Sequence, residues 1–163
     1  MASDKALSWV FAEEFVEENE LLAQAREAAT DLGADPVSTG VGAALRLLAA
    51  TCGAKAVLEI GTGAGVSGLW LLQGMSPDGV LTTIDQEVEF HKHARRAFAA
   101  AGIASQRTRL IAGRALDVLP RMAARGYDMM VIDAPNAEIP DYLDHALRVL
   151  RPGGLIVIVH ALW

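Results

Sequence analysis

The spacing of apolar residues changes character near residue 54. Upstream, Phe11, Phe15, Leu21, Leu22 and Ala25 recur at helical intervals. Residues 4–53 therefore read as helices, broken at Gly33-Ala34-Asp35-Pro36 and resumed from about Gly40 to Thr51. Downstream, short apolar runs alternate with helix-length segments. They predict strands at 56–60, 80–84, 107–111, 128–132 and 154–159, and helices at 65–75, 87–102, 114–125 and 138–150. Asp78-Gly79, Ala101-Gly102, Gly126 and Pro152-Gly153-Gly154 separate them. Such alternation implies right-handed crossovers and a parallel sheet. Runs as apolar as Leu155-Ile156-Val157-Ile158-Val159 suit a sheet covered on both faces. The fold class is α/β, a doubly wound and mostly parallel sheet with helices on both faces. One domain is expected over 1–163, a helical cap at 1–53 and the sheet core at 54–163.

Composition narrows the partners. The 163 residues are 52% hydrophobic and carry a net charge of −6. An acidic chain is poorly suited to duplex phosphates, so nucleic acid is not the expected partner. Lys92, Arg95 and Arg96 form a small basic group. The lone cysteine, Cys52, forms neither an internal disulfide nor a zinc site; a cytoplasmic setting and a buried structural thiol are expected. No stretch approaches a membrane span, and the first residues lack a signal-peptide layout. Trp70, Leu71 and Leu72 read as core, and Tyr142 as packing on the last helix. Trp9 and Phe11 read as helix-packing or subunit contacts, His91 and His93 as solvated.

Ligands of such sheets bind beyond the carboxyl ends of the strands. Those ends carry Glu59-Ile60-Gly61, Asp85-Gln86, Gly113-Arg114, Asp133-Ala134 and His160-Ala161. Glu59 is a carboxylate inside an apolar strand, which is costly without a partner. Behind it, Gly61-Thr62-Gly63-Ala64-Gly65 lets a ligand approach backbone closely. Asp85, about two dozen residues further, is placed to bind both ribose hydroxyls or to cap a helix. Two readings of the glycines compete. Gly63 to Gly68 matches the G-x-G-x-x-G of dinucleotide sites. The pattern E-x-G-x-G-x-G from Glu59 to Gly65 begins at the strand end and accounts for the acid. It fits S-adenosylmethionine, whose amino-acid end Glu59 would read, with Ser67 meeting the carboxylate at a helix start.

The chain resembles the class I S-adenosylmethionine-dependent O-methyltransferases, a Rossmann-like group that includes catechol and caffeoyl-CoA O-methyltransferases. The resemblance runs through Pro36-Val37-Ser38, Val57 to Ser67, Leu81 to Asp85, Gly113-Arg114-Ala115, Tyr127 to Ala134 and Leu150 to Gly154. It implies that Val37, Glu59, Gly61, Thr62, Gly63 and Ser67 line the methionine end of the cofactor. Asp85 would bind ribose, Gln86, Arg114 and Ala115 would flank adenine, Asp133 would face the methyl group and substrate, and Pro135 is a further cofactor-binding residue. The acceptor would be a small hydroxylated molecule and the assembly a homodimer.

Departures accompany the resemblance. Metal-dependent members place a lysine where this chain has Asn136, and an Asp-Asn pair where it has His160 and Ala161. The usual magnesium site is therefore expected to be missing or weakened, since hard cations need several oxygen ligands. Asp133 and His160 are the expected catalytic residues, with His160 suited to act as the base; as a pair they would suit a softer metal better than magnesium. The family fold also continues past its fifth strand, so the C-terminal part is expected to be missing here, with turnover affected. Other readings are a tRNA-modifying methyltransferase, an NAD-binding oxidoreductase and a non-catalytic cofactor-binding module.

Overall fold

A computed structural model describes residues 4–134 and 136–161, without the side chain of Asn136. Three helices precede the sheet: α1 (Asp4–Glu14), α2 (Glu20–Asp31) and α3 (Thr39–Thr51). The side chains of Asn19 and Ser38 cap α2 and α3 by accepting from Leu22 and Val41 N–H. Then come β1 (Ala56–Ile60), α4 (Val66–Gly74), β2 (Val80–Asp85), α5 (Val88–Ala100) and β3 (Thr108–Ala112). The chain ends with α6 (Ala115–Val118), β4 (Tyr127–Ile132), α7 (Ile139–Val149) and β5 (Leu150–Ile158).

All five strands are parallel, in the order β3-β2-β1-β4-β5. The chain steps outward from β1 to β3, then crosses back to β4. This places a topological switch between β1 and β4, where a crevice opens at the carboxyl ends. At the opposite end Asp128 ties three strands together. Its Oδ2 accepts from Lys55 and Ala56 N–H at 2.7 and 2.9 Å, and its Oδ1 from Arg151.

Strand alternation divides the core. Val57, Met129 and Leu81 face α3, α4 and α5 together with Trp70 and Leu45. Leu58, Ile60, Met130 and Ile132 face the other layer with Leu119, Tyr142 and Val149. Helix α4 is buried along Val66–Leu72, as befits a helix between sheet and cap. It packs on α3 where a Cβ on Gly42 would lie 2.3 Å from the Trp70 ring.

Four details differ from the sequence reading. The helix expected at 114–125 is one α turn followed by a 3₁₀ turn at Leu119–Arg121, because Pro120 removes a donor there. Strand β5 begins at Leu150, not 154, and absorbs Pro152-Gly153 through a register shift between Tyr127 and Met129 of its partner. Cys52 is the half-buried C-cap of α3. Helix α1 buries no residue; Trp9, Phe11 and Phe15 are exposed, and Glu13 ties the helix down by accepting from Gly40 N–H at 3.0 Å. No helix among the described residues is long and apolar enough to cross a membrane.

Candidate active site

Gly61 closes the end of β1. Its φ is +93°, a left-handed conformation, and a Cβ there would meet the Asp133 carbonyl oxygen at 2.3 Å. Its N–H donates to Ile84 O at 2.9 Å, and Asp133 N–H donates to Ile60 O at 2.9 Å. Hydrogen bonds thus draw the ends of β1, β2 and β4 to one point. Asp85, at the end of β2, holds the glycine turn: its Oδ2 accepts from Thr62 and Gly63 N–H at 2.9 and 3.1 Å, and its Oδ1 from Glu87 N–H at 3.0 Å. Asp85 is therefore a carboxylate locked against the turn, while the N-cap position of α5 is Glu87.

Two cavities open here, of about 400 and 250 Å³, and both are lined by Gly61, Asp85 and Asp133. Val37, Thr62, Gly63 and Ser67 line the smaller one. Gln86, Arg114 and Ala115 line the larger. The loop that carries Val37 is held by Arg26, whose Nη2 donates to Glu18 Oε1 at 2.6 Å and to the Val37 carbonyl at 2.8 Å. Pro135 lies outside the described residues, and Asn136 belongs to a 3₁₀ turn.

Glu59 is 0% exposed, and neither carboxylate oxygen has a hydrogen-bond partner among the described residues. Burial pushes its carboxyl up to about 7; the hydroxyls of Thr83 and Ser67 oppose the rise, and the charges of Asp133 and Asp85 add to it. A buried carboxylate with unfilled acceptor capacity has room for a donor from outside the chain. Ser67, which faces it, lines the smaller cavity.

His91, expected to be solvated, is buried instead. Its Nε2 lies 3.5 Å from Thr62 Oγ1, which lies 2.7 Å from Thr83 Oγ1. Burial lowers its pKa, against the pull of Asp85. The signal was present in the sequence: His91 shares a helical face with buried Ala94 and Phe98, three and seven residues on. Glu138 escaped the sequence reading, and Tyr142, expected only to pack, also borders the site. Glu138 and Tyr142 both line the larger cavity, and the Tyr142 hydroxyl donates to Glu138. Their i, i+4 spacing at the start of α7 was the available clue.

Asp133 Oδ1 and His160 Nδ1 are 3.0 Å apart. Burial raises the Asp133 carboxyl and His160 counters it. His160 has φ +57°, a strained backbone for a side-chain-bearing residue and a common mark of functional positions. Among the described residues no three His, Cys, Asp or Glu side chains converge as a metal site. One carboxylate and one imidazole do not fit magnesium.

The sequence matches the O-methyltransferase family over residues 12–163. A Mycobacteroides abscessus protein named for O-methyltransferase activity is 58% identical over 147 residues, covering 90% of this chain and 68% of its own length. A Mycobacterium tuberculosis protein of similar name is 57% identical over 153 residues, covering 94% of this chain and 68% of its own length. Among solved structures, the Streptomyces achromogenes O-methyltransferase TomG in complex with SAM aligns with a TM-score of 0.86 at 36% identity, covering 97% of this chain and 74% of that one. A Bacillus cereus O-methyltransferase in complex with SAH aligns at 0.84 and 28% identity, covering 94% and 71%.

Proposed function

The chain belongs to the O-methyltransferase family, and on that premise we propose that it transfers the methyl group of S-adenosylmethionine to a hydroxyl of a small molecule. The observation that carries the cofactor assignment is Glu59: a buried, partnerless carboxylate beside a glycine turn and next to a cavity-lining serine. The pyridinium of a nicotinamide dinucleotide offers it no N–H, whereas the ammonium at the amino-acid end of S-adenosylmethionine does. The homologous structures solved with SAM and SAH support the same reading.

When bound, S-adenosylmethionine supplies an electrophilic methyl group on a sulfonium. The chain supplies the rest. Val37, Thr62, Gly63 and Ser67 would hold the methionine end in the smaller cavity, with Glu59 beneath. Asp85 would hold the ribose where the cavities meet at Gly61, and Gln86, Arg114 and Ala115 the base in the larger one. His160 acts as the base. With Nδ1 donating to Asp133, Nε2 accepts the proton of the acceptor hydroxyl, and Asp133 stabilises the imidazolium. Positioning of the acceptor oxygen supplies much of the remaining rate. No step runs through magnesium.

The proposal extends to organisation: one cofactor-binding domain over 1–163 with residues 1–53 as its cap. A homodimer is supported by the exposed aromatic face of α1, and a cytoplasmic location by the single cysteine. The net charge of −6 favours a small molecule over nucleic acid. Calorimetry with S-adenosylhomocysteine and NAD tests the cofactor: binding of the first alone is expected, and binding of NAD alone overturns the reading. Methylation of a panel of phenols by the protein tests the reaction.

A further inference from the structure

The larger cavity has apolar walls at Ile60, Ile84, Ala115 and Ala134, and a polar far side built by Arg114, Glu138 and Tyr142. Arg114 comes from the turn after β3, Glu138 from the turn before α7, so the two side chains meet across the cavity. Arg114 Nη2 donates to Glu138 Oε1 at 2.8 Å, and the Tyr142 hydroxyl donates to Oε2. Each carboxylate oxygen is thus held by one fixed donor from a different direction. A carboxylate accepts about four hydrogen bonds, so each oxygen retains capacity for another donor. Of the other two carboxylates in the cavity, Asp85 already accepts from three backbone N–H groups and is left to the ribose, and Asp133 pairs with His160.

We propose that Glu138 is the residue that reads the base of the cofactor, accepting from the exocyclic amine of adenine and rejecting a purine with an oxygen in its place. The inference rests on placing the adenosyl group in this cavity. An exocyclic amine donates, which suits an oriented carboxylate. A 6-oxo purine presents an acceptor there, and two acceptors repel. Arg114 and Tyr142 act as positioning residues. They fix the carboxylate before the base arrives, and Tyr142, 2% exposed, gives the arrangement a rigid base in the core. The Arg114–Glu138 pair alone, with side chains 55% and 30% exposed, adds little to stability, so its use lies in orientation.

The test is a ratio of affinities. Wild-type protein is titrated by calorimetry with S-adenosylhomocysteine and with S-inosylhomocysteine, whose base carries a 6-oxo group and an N1–H in place of the 6-amine and bare N1. A preference of about tenfold or more for the adenine ligand is expected. In Glu138→Gln the amide offers a donor as readily as an acceptor, and the ratio should fall to within about twofold. Tyr142→Phe should narrow it less. A role in folding alone would weaken both ligands equally and leave the ratio unchanged, which overturns the inference. So does a wild-type ratio near one, a result independent of any variant's folding. If the wild type binds no S-adenosylhomocysteine, the cofactor assignment falls and this inference with it. Binding with an unaltered ratio in Glu138→Gln removes this inference alone.

Discussion

Replacing Glu59 by glutamine should move stability and cofactor affinity in opposite directions. Burial raises the Glu59 carboxyl from an ordinary 4.5 to about 7. The folded protein therefore holds this proton more tightly than the unfolded chain does. Below 4.5 the group is neutral in both states and costs nothing. Between 4.5 and 7 the unfolded chain gives up its proton first, so stability falls as pH rises. Above 7 the whole shift is felt, and 2.5 units at about 1.4 kcal/mol each comes to about 3 kcal/mol. Glu59→Gln removes this ionisation while keeping the shape. At pH 8 the cofactor-free variant should be more stable than wild type by up to about 3 kcal/mol, or roughly 6–12 °C in Tm. At pH 4 the two should nearly coincide. With S-adenosylhomocysteine the stability gap should narrow, because the variant lacks the anion that meets the ligand's ammonium. Its affinity should fall roughly 10- to 100-fold, and wild-type affinity should rise with pH as Glu59 ionises. Thermal melts from pH 4 to 8.5, with and without ligand, check both halves. A variant that is no more stable at pH 8, or that binds S-adenosylhomocysteine as tightly as wild type, refutes the account of Glu59.

Other expectations concern the strand ends. Gly61→Ala brings a methyl group within 2.3 Å of the Asp133 carbonyl at φ +93°; denaturant titration should show a loss of roughly 1–3 kcal/mol or more, and a variant as stable as wild type would contradict the packing described. His160→Gln removes the base, so kcat should drop roughly 10²- to 10⁴-fold with little change in KM for S-adenosylmethionine. Asp133→Asn should lower kcat as well, since an amide no longer orients the imidazole as a charged acceptor. Chelator should leave turnover unchanged; strict dependence on added magnesium would sink the Asp133–His160 mechanism.

Much of this protein is local in origin, and what is local was legible. Short apolar runs suit a sheet covered on both faces, so the five strands and their parallel sheet were legible in the pattern of residues, whereas the strand order that places the switch between β1 and β4 was not. Gly61, Asp85 and Asp133 were predictable because strand ends must meet at that switch. A carboxylate at position 59 announced itself by its cost in an apolar strand. Pro120 shortened α6 and Pro152 displaced the pairing of β5, effects of single residues that a periodicity reading averages away. The tertiary structure decided which side chains share a cavity. His91 left solvent because the face it shares with Ala94 and Phe98 turned inward, and Thr62 met it there. Glu138 and Arg114 lie 24 residues apart and meet only because β3 and β4 fall on opposite sides of β1. Asp133 and His160 join because β5 pairs with β4. Sequence determines which residues must be buried and where strands end; only the packed sheet determines which ends converge, and that convergence is what gives a carboxylate its partner.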